Sequence, residues 1–197
     1  MTMSSFFFIF NKFFYLIFIG DMIYLRDLLS EARLTPYQVF VTGTGGSNFK
    51  FNPKKVPTGR LKVGSQMACQ NKPVGGFWTS SYREKTKDTE WSEFTRTKLP
   101  HWHSGMGAVF KVVGSPKIAV VRNQKDYDKL VKKYQHDTSD MGCPAGDQYL
   151  NWYKMSKDYD AFQLAKYSFI PGIHDWDVES TVWFNMKKLK FVGTTKV

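Results

Sequence analysis

Lys72-Pro73-Val74-Gly75-Gly76-Phe77-Trp78-Thr79-Ser80-Ser81-Tyr82 is the segment on which the reading of the fold turns. Two glycines introduce an aromatic strand, predicted over Gly76 to Ser80, that ends in hydroxyl side chains. Such a strand sets a flat apolar face beside small polar groups, which suits ring stacking or plain core packing. A short helix is predicted from Asp88 to Arg96, with Trp91 and Phe94 at i, i+3 facing inward.

Upstream, Tyr37 to Val41 is aromatic and β-branched and reads as a strand. Thr42-Gly43-Thr44-Gly45-Gly46-Ser47 follows as a turn whose bare amides can meet a phosphate or simply reverse the chain. Residues 48 to 75 carry three prolines and read as a long loop with brief strands. Downstream, strands are predicted at Met106 to Val113 and Lys117 to Val121. A helix starts at Asn123, with Tyr127, Leu130, Val131 and Tyr134 on one face. A shorter helix covers Asp147 to Lys157, and strands cover Tyr159 to Ala165, Ser180 to Met186 and Leu189 to Val192. Strands outnumber long helices and βα alternation is irregular, so the fold class is α+β, as a single domain over residues 32 to 197.

The chain has 197 residues, with 28 Lys+Arg against 17 Asp+Glu, a net charge of +11. Such a field favours phosphate polymers through counterion release. The basic residues are spread out, so nonspecific contact with DNA is expected and sequence reading is not. Cys69 and Cys143 allow one disulfide but make no disulfide scaffold, and a reducing compartment is the default. His101 and His103 read as a surface pair, since a structural zinc site wants four ligands, and no metal is expected.

Asp175-Trp176-Asp177-Val178-Glu179-Ser180-Thr181-Val182-Trp183-Phe184 sets three acids ahead of a late strand. Acids there can be surface groups. In a chain this basic, and set between aromatics, they also suit a cleft, with Glu179 facing it and not the core.

The first 31 residues read as a leader. Phe6 to Gly20 is apolar but short for a membrane span, and no membrane association is expected. Its AT-codon-rich composition suits untranslated DNA read as protein, with Met22 as the true start. Leu25, Leu28 and Leu29 then form an apolar helical stripe that ends at Leu29-Ser30-Glu31-Ala32. An ordinary first helix would look much the same.

Two resemblances follow from these residues. The leader from Met22 to Glu31 resembles the capsid-targeting peptides of T-even-type phage internal head proteins, and Leu29-Ser30-Glu31 resembles the cleavage site of their prohead protease. The body is similar to the ADP-ribosyltransferase fold, in outline over residues 37 to 184. Gly76-Phe77-Trp78-Thr79-Ser80 matches the middle strand, Glu179 the late glutamate, and Val41-Thr42-Gly43-Thr44 the first strand. Thr42 stands where that family carries His or Arg.

The resemblance implies a split antiparallel sheet with short flanking helices and NAD as substrate. Thr42, Gly43, Thr44, Gly76, Trp78, Thr79 and Ser80 would bind NAD, and Glu179 would be catalytic. It further implies a monomer carried in the virion interior and then the host cytoplasm, acting on a host protein or nucleic acid in host takeover. The competing expectation is a basic internal head protein without enzymatic activity, which binds DNA or inhibits a host nuclease.

Cleavage after Glu31 would remove Lys12, Arg26, Asp21, Asp27 and Glu31 and leave a more basic chain. Mass spectrometry of the native species should find Ala32 at the N-terminus; an intact Met1 or Met22 terminus would exclude the processing site.

Overall fold

The computed structural model describes residues 35–41, 49, 51–67, 69–137, 143, 148–165 and 170–197. The leader and the Thr42-Gly43-Thr44 turn, expected to bind NAD, lie outside the described residues. Eleven strands and three α-helices are described: β1 (Tyr37–Phe40), β2 (Val63–Met67), β3 (Gln70–Gly75), β4 (Phe77–Ser81), α1 (Glu90–Lys98), β5 (Met106–Val112), β6 (Ile118–Val121), α2 (Gln124–Tyr134), β7 (Gln135–His136), β8 (Tyr149–Leu150), α3 (Trp152–Asp158), β9 (Ala161–Leu164), β10 (Ser180–Trp183) and β11 (Leu189–Lys196).

Seven strands form the main sheet in the order β11-β5-β1-β4-β10-β9-β6, and β2-β3 and β7-β8 form two small hairpin-like pairs. All neighbours in the large sheet are antiparallel except β6 and β9. A parallel pair needs a crossover, and here it carries α2 and α3. The α+β class is therefore met by a large, antiparallel-dominated sheet in one unit, Thr35–Val197.

Strand alternation divides the sheet's residues between two faces. On one, Ala119, Val121, Phe162, Leu164 and Val182 pack into a core with Tyr127 and Val131 of α2, Trp152 and Met155 of α3, and Trp176. α2 is set by its sequence: Asn123 caps it by accepting from the Asp126 amide at 3.1 Å, and Tyr127, Val131 and Tyr134 form the buried stripe. The other face gathers phenylalanines. Phe110 lies 5.1 Å from Phe77 and 5.7 Å from Phe191, both edge-on, and Phe40 stacks on Phe77 at 4.9 Å.

The brief strands expected within residues 48 to 75 are β2 and β3. Two expectations change. The last strand runs on to Lys196, because a bulge between Phe191 and Gly193 lets it keep pairing with β5. In α1 the buried residues are Ser92 and Thr95, while Trp91 and Phe94 stay half-buried. The reason is local satisfaction: the cap Thr89 donates to Ser92 Oγ at 3.0 Å and accepts from the Ser92 amide at 3.0 Å. Thr95 Oγ1 donates to the Ser92 carbonyl at 3.1 Å. Small, satisfied side chains let this helix approach more closely than a tryptophan would allow.

Asn71 on β3 locks the hairpin to the helical layer. Its side-chain amide donates to Tyr127 Oη at 2.6 Å and to the Gly172 carbonyl at 2.6 Å, and its carbonyl oxygen accepts from the Leu150 amide at 3.1 Å. Its backbone amide donates to Asp175 Oδ2 at 2.8 Å, and its backbone carbonyl accepts from Trp176 Nε1 at 3.0 Å. Nearby, the two cysteines are joined as a Cys69–Cys143 disulfide spanning 74 residues. Loop-closure entropy assigns such a link about 4 kcal/mol.

Asn71→Ala leaves the Leu150 amide without its acceptor in a dry site and removes one donor each from Tyr127 Oη and the Gly172 carbonyl, which keep their hydrogen bond to each other. Urea unfolding should show a loss of about 3 kcal/mol; a loss below about 1 kcal/mol would remove Asn71 from this role.

Candidate functional site

β4 presents different chemistry on its two sides. Trp78 and Ser80 alternate onto the face that carries the helices. With Val39, Val41, Lys72, Thr79, Trp91, Trp176, Asp177 and Ser180 they line a cavity of about 240 Å³. Three tryptophans wall it: Trp78 and Trp176 lie 4.7 Å apart at 49°, and Trp91 is contributed by α1. Lys72 and Asp177 supply the charges. A volume below the usual ~300–1,000 Å³ suits one flat ring with a small polar attachment.

Thr79 and Ser81 alternate onto the opposite face and join a buried polar chain. Thr79 Oγ1 donates to Gln38 Oε1 at 2.8 Å and accepts from Trp183 Nε1 at 2.9 Å. Gln38 Nε2 lies 3.2 Å from Ser81 Oγ. The chain ends on Glu179, just before β10. Glu179 Oε2 accepts from Ser80 Oγ at 2.7 Å and from the Ser81 amide at 2.8 Å. Oε1 accepts from Ser81 Oγ at 2.9 Å and from Gln163 Nε2 at 3.1 Å. Its own amide donates to Glu90 Oε2 at 3.0 Å, which ties α1 to the same point. Thr181, one pleat further along β10, is fully buried with its Oγ1 unpaired among the described residues.

Glu179 is 4% exposed, so the expectation that it faces an open cleft is corrected. Leaving water is costly for a carboxylate, and burial pushes its carboxyl above the ordinary glutamate range, against the pull of the Ser81, Ser80 and Gln163 hydrogen bonds. It does not line the tryptophan cavity; Ser80, which does, stands between them.

The other expected residues divide. Trp78 and Ser80 border the cavity through their side chains. Thr79 is among its lining residues, but its hydroxyl serves the polar chain behind. Gly76 does not line the cavity. At φ +80 its missing Cβ would come 2.5 Å from Val182 Cγ2, so the glycine answers to the closure of β4 on β10. Gln38, Ser81, Gln163 and Trp176 belong to the site and were not expected. Gln38 and Gln163 had a signal: each is an uncharged amide inside an otherwise apolar strand. His101 and His103 form no metal group among the described residues, and His103 Nδ1 lies 3.3 Å from Thr95 Oγ1.

A carboxyl whose folded-state pKa is raised adds stability when protonated. That gain is complete below the unfolded value of about 4.3 and is lost as pH rises through the folded value. Glu179→Gln should remove this dependence: urea midpoints of the parent should fall relative to the Gln variant as pH rises from about 4 to neutrality. Parallel pH profiles would show that Glu179 does not titrate as described. Glu179→Ala takes the acceptor from the Ser81 amide, Ser81 Oγ and Gln163 Nε2, while Ser80 Oγ keeps the residue-179 backbone carbonyl at 3.1 Å, and should cost about 3 kcal/mol.

The chain matches no protein-family model, no curated protein and no solved structure.

Proposed function

We propose that this domain is an NAD-dependent ADP-ribosyltransferase carried as a phage internal head protein and injected with the DNA. It would transfer ADP-ribose to a host macromolecule. The supporting observation is the meeting of Glu179 with Ser80 and Ser81 across about a hundred residues of sequence, directly behind a tryptophan-walled cavity. On this reading the finer, split-sheet description applies, with β4 as the strand shared by a β11-β5-β1 half and a β10-β9-β6 half.

The nicotinamide ring would stack against Trp78, with Ser80 and Ser180 as hydrogen-bonding groups at the cavity wall and Lys72 near a phosphate. The C1′–N bond breaks with its electron pair leaving on nicotinamide, and the acceptor's nucleophile bonds to C1′ and gives up its proton. Positive charge develops at the ribose, where a carboxylate is worth most. Rotation of the Ser81 hydroxyl, which is half-buried, would free one acceptor position on Glu179 for a ribose hydroxyl.

One observation favours the second reading, a basic internal head protein without enzymatic activity. All four good acceptor positions of Glu179 are occupied, as befits a structural clamp.

Glu179→Gln decides between them. Ser80 Oγ, Ser81 Oγ and the Gln163 amide can each turn to accept from a new amide, so the fold should hold. Transfer from labelled NAD to a host lysate should drop roughly a hundred- to a thousandfold with NAD affinity retained. Trp78→Ala should instead weaken NAD binding. A parent that transfers nothing, or a Gln variant as fast as the parent, sinks the enzymatic reading.

A further inference from the structure

On the helix-bearing face, beyond the tryptophan cavity, one cross-strand row runs over four neighbouring strands. Lys190 of β11 stands opposite Lys111 of β5, and Lys111 stands opposite Tyr37 of β1. Tyr82, just after β4, completes the row by donating its amide to the Tyr37 carbonyl at 3.0 Å. Both lysines are exposed and both tyrosines half-buried. Like charges placed directly opposite on a sheet destabilise it. Neither lysine has an ion pair, and neither tyrosine hydroxyl a hydrogen bond, among the described residues. This contrasts with Arg60, Arg83, Arg96, Arg122 and Lys133, each of which has a carboxylate partner.

The row leads to the cavity. Val39 and Ser80, which line it, are two residues along from Tyr37 and Tyr82, hence on the same face and one pleat, about 7 Å, away. Unpaired cations supply phosphate contacts, and two rings on a sheet surface supply stacking platforms. The tryptophan-walled recess lies next in line and has the size of one ring. A duplex hides its base faces and offers nothing for the tyrosines to stack on, whereas a single strand presents both base faces and phosphates.

We infer that the Lys190–Lys111–Tyr37–Tyr82 row is a docking surface for single-stranded nucleic acid. This deepens the reading above by assigning the acceptor to unpaired nucleic acid, and it rests on that reading for the transfer step alone. Binding is measured without NAD, so failure of docking and failure of transfer are told apart.

The experiment is anisotropy titration of the full chain with a fluorescent oligothymidylate at about 0.1 M salt. Lys111→Glu sets a carboxylate against Lys190 and relieves the like-charge pair, so lost binding in this variant is not lost folding. It should weaken binding roughly tenfold or more, and Lys111→Arg should restore it. Tyr37→Ala and Tyr82→Ala should each weaken it roughly five- to a hundredfold. Lys125→Glu with Lys129→Glu, exposed on α2, changes twice the charge elsewhere and should have the smaller effect. The inference is overturned if the α2 variant loses as much affinity as Lys111→Glu, if the tyrosine variants bind like the parent, or if a duplex of equal length binds as tightly as the single strand.

Discussion

A carboxylate removed from water organises the centre of the sheet. Burying Glu179 alone would cost several kcal/mol, and the structure offsets that with four donors drawn from β4 and β9. Those donors are useful only if β4, β10 and β9 hold their observed registers. A one-residue slip would turn Ser81 and Gln163 to the wrong face and leave the charge unmet. Gly76 permits the registry from the other end of β4, because any side chain there would meet Val182. The registers of β4, β10 and β9 therefore depend on one seated carboxyl group, and Glu90 holds α1 to the backbone amide of the same residue.

β4 carries this arrangement on one side and the tryptophan recess on the other. Trp78 and Ser80 meet the recess; Thr79 and Ser81 meet the polar chain. Ser80 touches both, since it lines the recess and donates to Glu179. A ligand that displaced the Ser80 hydroxyl would alter the solvation of a buried carboxylate without contacting it. That coupling gives the serine more influence than its size suggests, whichever functional reading holds.

Alternation and capping made much of the framework legible. The strands at Tyr37, Met106 and Ile118 and the Asn123-capped helix follow from period, aromatic content and cap chemistry within a few residues. The Trp78 and Glu179 segments stood out because tryptophan and acid are unusual where they occur. What escaped depends on partners distant in sequence. Asn71 looks like a loop residue until Tyr127, Gly172 and Leu150 arrive around it. In α1 two aromatics at i, i+3 outweigh two small hydroxyls by hydrophobicity, although Thr89 and the Ser92 carbonyl satisfy those hydroxyls and so let them be buried. Glu179 showed where chemistry collects, but not that Ser80 would screen it from the recess.

The Cys69–Cys143 link closes the chain into a covalent ring that takes in β3, β4, α1, β5, β6, α2 and β7. Rings restrict passage as well as unfolding. A linear chain drawn end-first through a narrow channel presents one backbone at a time, whereas this chain presents two abreast for as long as the sulfurs remain joined. A thiol must open the ring before this chain can pass in single file. The same topology keeps the pieces of a chain cut once between Cys69 and Cys143 in a single molecule, so a nick in any intervening loop changes flexibility without changing mass beyond the added water.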